Sequence, residues 1–188
     1  LRRYFHENPE LSQKEFKTMD FIEKKLNGWG IETVRIPHGG IFGVLDSGKP
    51  GWTMLMRADI DALPIDEDSC NLKGKKICVS KNAGVMHACG HDGHMAMLLT
   101  EAKILAEHKE EWEGKIILMF EEAEEMGSVV SRPCSVICET TGFMWMLFRY
   151  TLKWIYLRGK WNPLWFGHGG RVFLPGENPW KERPWFSS

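Results

Sequence analysis

Apolar residues recur at a helical period from Phe16 through Met19, Ile22 and Leu26, and the run stops at Gly28 and Gly30. Ser12 and Glu15 stand three apart just ahead of it. That is the spacing of a capping box, so the pattern predicts an amphipathic helix entered at Ser12. The pattern then changes. Residues 31–36, 41–45 and 53–57 are short β-favouring segments separated by Pro37, by Gly39 and Gly40, and by a turn-rich stretch at 46–51, and they are expected to pair in one sheet. Between 94 and 107, Met97, Leu98, Ala102, Leu105 and Ala106 return along one side of a helix, and 115–120 is a continuous apolar strand after a turn at Gly114. Strand, helix and strand in that order make a βαβ unit. The first residues also read as helix, so a chain opening at Leu1 is expected to be a fragment at its N-terminus.

The runs at 54–56 and 116–119 are apolar at successive positions, as in parallel strands covered on both faces. The predicted fold class is therefore α/β. In such sheets ligands collect beyond the carboxyl ends of the strands. Asp59 and Asp61 lie just past the first of these strands, Cys89 and His91 just before the crossover helix, and Glu124 and Glu125 just past the next strand. The three clusters should meet at one edge.

With 188 residues, 43% hydrophobic and 26% charged, the chain has the composition of a soluble globular protein with one sizeable core. A net charge of -1 offers no attraction to nucleic acid or to an anionic membrane. The charge is uneven, however. Residues 128–188 carry eight Lys or Arg against three Glu and no Asp, a net +5 that leaves -6 for residues 1–127. Five cysteines, an odd number without an apolar leader, argue against a disulfide framework and for a cytoplasmic location. The most apolar run, 143–157, is shorter than the roughly 20 residues of a membrane span and contains Arg149 and Lys153, so none is predicted.

Residues 83–94 read Ala-Gly-Val-Met-His-Ala-Cys-Gly-His-Asp-Gly-His, and acidic clusters flank them at 57–64 and 121–125. Zn²⁺ or Mn²⁺ is held by such mixtures of thiolate, imidazole and carboxylate. A divalent metal at an open sheet edge suits hydrolysis, because it polarises a carbonyl and activates water. In an adjacent Glu pair such as Glu124 and Glu125, one side chain can ligate while its neighbour accepts a proton from the attacking water. The remaining candidates have plainer readings. His94 lies on the helix and reads as a structural histidine; His6, His38 and His108 read as surface residues; Cys70, Cys78, Cys134 and Cys138 read as free thiols; the crossover-helix methionines read as core.

Four ordered motifs carry a resemblance: Arg-Tyr-Phe-His at 3–6 with Asn-Pro-Glu-Leu-Ser at 8–12, Arg-Ala-Asp-Ile-Asp-Ala-Leu-Pro-Ile at 57–65, Gly-Val-Met-His-Ala-Cys-Gly-His-Asp-Gly-His at 84–94, and Phe-Glu-Glu-Ala-Glu-Glu at 120–125. Together they resemble the amidohydrolases that cleave N-acyl amino acids: hippurate hydrolases, bacterial aminoacylases and plant auxin-conjugate hydrolases, in metallopeptidase family twenty. The resemblance implies part of a dinuclear zinc-peptidase-like catalytic domain, with a mixed, largely parallel sheet flanked by helices. It implies two divalent metal ions (Mn, Zn, Co or Ni), with Cys89, His91 and Glu125 on ligand positions and Glu124 on that of the general base. Asp59 and Asp61 fall beside the metals, where orientation of the ligands is the expected role, and Asp92 is expected to act likewise. The implied substrate is a small N-acyl amino acid, hippurate-like, or a small peptide.

Intact enzymes of this kind have about twice this length, form homodimers through an inserted dimerisation domain, and draw further histidine ligands from downstream. The motif match ends near Gly127. Residues 1–127 are thus expected to be the N-terminal part of the catalytic domain, with no dimerisation domain. Residues 128–188 are a basic tail with six of the nine Trp, and His168 lies there without the family pattern around it. The tail reads as the product of a frameshift or as an interaction tail that lies on a membrane surface through 143–157. A chain with an incomplete ligand set should be weakly active or inactive. Two competing readings are a non-catalytic metal-binding remnant and a thiol hydrolase with Cys89 as nucleophile and His91 or His87 as base.

Overall fold

Residues 53–59 and 115–121 form neighbouring parallel strands at the centre of a mixed sheet. The computed structural model describes residues 1–126 and the backbone of three further strands at 145–148, 154–157 and 160–163. Cys134, Cys138 and His168 lie outside the described residues. In chain order the elements are α1 (Arg2–Glu7), α2 (Phe16–Gly28), β1 (Glu32–Ile36), β2 (Gly40–Asp46), β3 (Thr53–Asp59), β4 (Cys70–Asn71), β5 (Gly74–Lys75), α3 (His91–Glu107), β6 (Lys115–Glu121), β7 (Trp145–Phe148), β8 (Trp154–Leu157) and β9 (Lys160–Pro163). The large sheet runs β1-β2-β6-β3-β7-β8-β9, and β4-β5 is a separate hairpin.

The expected βαβ unit is β3-α3-β6. The sheet is mixed as expected, but its parallel part is confined to β6-β3-β7. The β1–β2, β2–β6, β7–β8 and β8–β9 pairs are antiparallel. A short connection such as 37–39 can join only antiparallel neighbours, whereas the parallel pair needs the crossover that α3 provides. β7, from the segment read as a basic tail, pairs with β3 in this same sheet. Within 143–157 the described residues are the strands β7 and β8. No helix among the described residues is long and apolar enough to cross a membrane.

Strand alternation sorts the core. Ile41 and Leu45 of β2, Ala58 of β3, and Ile116, Leu118 and Phe120 of β6 pack with Phe5, Met19, Ile22, Leu26, Met95, Leu98 and Leu99 from the three helices. The intervening residues Phe42, Leu55, Ile117 and Met119 form a second cluster on the opposite face. This two-sided burial is why the two central strands read as continuous apolar runs.

One local expectation fails. Ser12 and Glu15 do not cap α2, which starts at Phe16 with no side-chain cap bond from its N-cap residue. Glu10 does that work instead: its carboxylate accepts the backbone N–H groups of Lys17 and Thr18, at 3.3 and 2.8 Å, and the Thr18 hydroxyl at 2.9 Å. A carboxylate at a helix N-terminus satisfies free donors and complements the helix dipole. Ser12 and Glu15 are turned inward.

Candidate metal centre

The carboxyl ends of β3 and β6 bring two acidic residues into register, Asp59 opposite Glu121. Arg57 is buried against both, its Nε 2.8 Å from Asp59 Oδ1 and 2.5 Å from Glu121 Oε2. This guanidinium offsets the repulsion between two desolvated carboxylates. Asp59 Oδ2 lies toward α3, 3.9 Å from His91 Nε2 and 3.9 Å from His94 Nδ1.

His91 begins α3, and Gly90 at its N-cap has φ +83. Glycine enters that left-handed conformation without a Cβ penalty, and here it turns the chain sharply between Cys89 and His91. The Nδ1 of His91 donates to the Asp61 carbonyl oxygen at 2.9 Å, with Asp61 Oδ1 at 3.3 Å. In the neutral ring Nε2 is thereby left as the acceptor nitrogen. It stands 4.0 Å from Glu124 Oε2 and 3.9 Å from Glu125 Oε1. Burial pulls the His91 pKa down, but the Asp61 carboxylate and carbonyl and the Asp59 charge outweigh it and hold the ring above its ordinary value. Asp61 also accepts the Ser12 hydroxyl at 2.7 Å and the Glu125 N–H at 3.0 Å. Burial works to raise its pKa, and the bonds from His91, Glu125 and Ser12 together keep it below the usual carboxylate value.

At this edge two groups of donors converge closely enough to share an ion: Asp59, His91 and His94, and His91, Glu124 and Glu125. His91 belongs to both. Cys89 is in neither group; its thiol is exposed and hydrogen-bonded to Glu125, and this bond, with burial and the neighbouring carboxylates, pushes it up to about 11. His87 is buried, and burial pushes it down to about 4. Asp92, expected to orient ligands, has its hydrogen bonds elsewhere: Oδ2 meets Arg2 Nε at 2.9 Å and His6 Nδ1 at 2.8 Å, and Oδ1 accepts the Gly93 N–H at 2.9 Å. The surface reading of His6 is therefore wrong. His6 is buried between Asp92 and Glu67, whose Oε1 lies 3.0 Å from Nε2, because two carboxylates from distant segments need a buried donor between them. His38 and His108 are exposed, as expected. His94, set aside as structural, stands among the metal-capable donors. Its separation from His91 by three residues on a helix, which places both rings on one face, was the available signal.

The donor set fits divalent metal. His91 Nε2 lies 3.9 to 4.0 Å from one oxygen each of Asp59, Glu124 and Glu125, beyond hydrogen-bond range, and these oxygens divide between two donor groups that share His91, a mixed imidazole and carboxylate set of the kind that holds divalent ions. A ring nitrogen fixed by a backbone carbonyl, with the other turned to the ion, is the usual state of a ligating histidine.

The sequence profile of Peptidase family M20/M25/M40 matches residues 55–151, more than half of the chain. The chain belongs to this family. The M20 match extends past Gly127, where the motif resemblance ends. The thermostable carboxypeptidase 2 of Saccharolobus solfataricus is 46% identical over 132 residues, which cover 69% of this chain and 32% of the relative. The N-acyl-L-amino acid amidohydrolase of Geobacillus stearothermophilus is 43% identical over 126 residues, 66% of this chain and 33% of that one. Among solved structures, the YXEP protein of Bacillus subtilis, described as a dinuclear metal binding peptidase from the M20 family, superposes with a TM-score of 0.66 at 34% identity, covering 81% of this chain and 42% of that one. This M20 chain therefore spans about a third of the length of the curated relatives it matches.

Proposed function

We propose that this chain carries the N-terminal part of the active site of a metal-dependent amidohydrolase that cleaves N-acyl amino acids or small peptides. The observation that carries the proposal is the convergence of Asp59, Glu124 and Glu125 on the acceptor nitrogen of His91. The relatives named for N-acyl amino acid hydrolysis and carboxypeptidase activity support the substrate class.

His91, Glu125 and Cys89 would hold the metal, with Asp59 and His94 in reach of a second position, and Asp61 orients His91 and the Glu125 backbone. Two divalent ions of Mn²⁺, Zn²⁺, Co²⁺ or Ni²⁺ supply, when bound, polarisation of the scissile carbonyl and activation of water. Glu124 is the general base: its carboxylate takes a proton from the attacking water and returns it to the amide nitrogen as the C–N bond breaks, giving a carboxylate and an amine. Thiol catalysis by Cys89 is disfavoured, because its thiol, pushed up to about 11, is protonated at neutral pH.

In this reading residues 1–127 supply the first ligands and the base, and the ligand shell is completed by the remainder of a longer homodimeric cytoplasmic enzyme. The chain alone should bind metal and turn over slowly. The test is metal content with turnover of several N-acyl amino acids by purified protein loaded with Mn²⁺, Zn²⁺ or Co²⁺. Failure to bind any of the three would end the proposal. A kcat near the enzyme median of about 10 s⁻¹ would show that residues 128–188 complete the site.

A further inference from the structure

The Ser12 and Glu15 side chains, freed from capping by Glu10, face the metal centre's supporting turns. Ser12 donates its hydroxyl to Asp61 Oδ2 at 2.7 Å. Glu15 is fully buried, and its Oε1 accepts the Ala123 N–H at 2.8 Å. Ala123 is itself fully buried with φ +56, a left-handed conformation that an alanine adopts only when something holds it there. It is the residue between Glu122 and Glu124, so its backbone sets the direction in which Glu124 and Glu125 leave β6. The far end of the same turn is tied as well, since the Glu125 N–H donates to Asp61 Oδ2. The connection between α1 and α2 is anchored beside it: Leu11 bridges Ala62, and the Ala62 N–H donates to the Glu10 carbonyl at 2.9 Å.

We propose that Glu15, with Ser12, is a positioning residue of the metal centre: Glu15 holds the start of the Ala123–Glu125 turn directly and Ser12 holds its end through Asp61, so that both glutamates face His91. This rests on the reading of His91 and Glu125 as ligands. It assigns a role in the site to a segment that precedes Asp59, the nearest metal-capable donor in sequence, by more than forty residues.

The test compares Glu15→Ala, Glu15→Gln and Ile22→Ala in the full chain, with Co²⁺ alone as probe. Ile22 is a fully buried α2 residue of the core and serves as a control for lost stability. Loss of a group supporting a ligand commonly weakens metal binding by 10–100-fold. Glu15→Ala should therefore raise the Co²⁺ dissociation constant about tenfold or more, and accelerate amide exchange of Ala123, followed by NMR, while β6 amides keep their protection. Glu15→Gln retains an acceptor oxygen and should restore both towards wild type. Ile22→Ala should lower the melting temperature without moving either. If Glu15→Ala does not fold, Glu15→Met, which fills the space without a strong acceptor, carries the same expectation. Unchanged Ala123 exchange in Glu15→Ala, or equal weakening by all three variants, would overturn the proposal. Absence of Co²⁺ binding by the wild-type chain would instead remove the functional reading, and the Ala123 amide together with the Glu124 and Glu125 backbone shifts would still decide whether Glu15 positions the turn.

Discussion

Asp61 holds His91 by its backbone and its side chain at once, through a carbonyl oxygen 2.9 Å and a carboxylate oxygen 3.3 Å from the same Nδ1. The other carboxylate oxygen carries the Glu125 N–H. One residue therefore fixes the tautomer of one candidate ligand and the backbone of another. Asp61→Ala keeps the carbonyl and loses the rest, so it should weaken Co²⁺ or Zn²⁺ binding by about 10–100-fold, measured by competition with a chromophoric chelator. Asp61→Asn, which keeps an acceptor, should fall between. Wild-type affinity in Asp61→Ala would show that the carboxylate does not support the ligands.

The adjacent Glu124 and Glu125 should separate by assay. Glu124→Gln removes a proton acceptor and leaves the proposed ligands intact, so amide hydrolysis should drop by roughly 10²-fold or more at nearly unchanged metal content. Glu125→Gln should lower metal content as well as rate. Activity within tenfold of wild type in Glu124→Gln would remove it as the base.

Much of this arrangement was legible because its signals are local. The apolar runs at 54–56 and 116–119, shortly ahead of Asp59 and Glu121, and the helical period through α3 placed three polar clusters at one sheet edge. Ser12 and Glu15 misled for a physical reason: capping-box spacing records only that the two residues are three apart, and an alternative cap from Glu10 left both free to turn inward. His6 carried no local signal at all, since its partner Asp92 lies 86 positions away and only the tertiary fold makes the pair. His94 reads as structural from its place on the helix, and the fold sets it within reach of Asp59 and His91, a proximity that its three-residue spacing from His91 foreshadows. The extent of parallel pairing was not readable from apolar runs, which report burial on two faces and not strand direction.

Cysteine labelling offers an independent view of the centre. Without metal, Cys89 is exposed but held as the protonated thiol by Glu125, so it should alkylate more slowly at pH 8 than the exposed Cys70. Zn²⁺ should deprotonate and shield it, slowing Cys89 further while Cys70 keeps its rate, and a chelator should reverse the change. Mass spectrometry of the labelled peptides gives both rates in one sample. Equal Cys89 labelling with and without Zn²⁺ would count against ligation.

Glu15 also predicts a pH dependence of stability whose direction is unusual for a carboxylate. Its pKa, ordinarily 4.5, is pushed up to about 7, chiefly by burial and against the bond from Ala123, with the nearby Asp61 and Glu122 charges adding to the rise. Between those two values the folded chain keeps a proton that the unfolded chain has released. The contribution of Glu15 is therefore most favourable below about pH 4.5 and is lost as pH rises to about 7, after which it is constant. At about 1.4 kcal/mol per pH unit the full span is on the order of 3 kcal/mol. His87 acts in the opposite sense: its pKa falls from 6.5 to about 4, so its contribution grows with pH across that interval and obscures the total. The difference between wild type and Glu15→Gln isolates the Glu15 part, because His87 is common to both. Urea unfolding of the metal-free proteins at pH 5, 6, 7 and 8 should show Glu15→Gln gaining on wild type up to about pH 7 and by no more beyond it. A pH-independent difference would mean that Glu15 is ionised in the fold like an ordinary carboxylate.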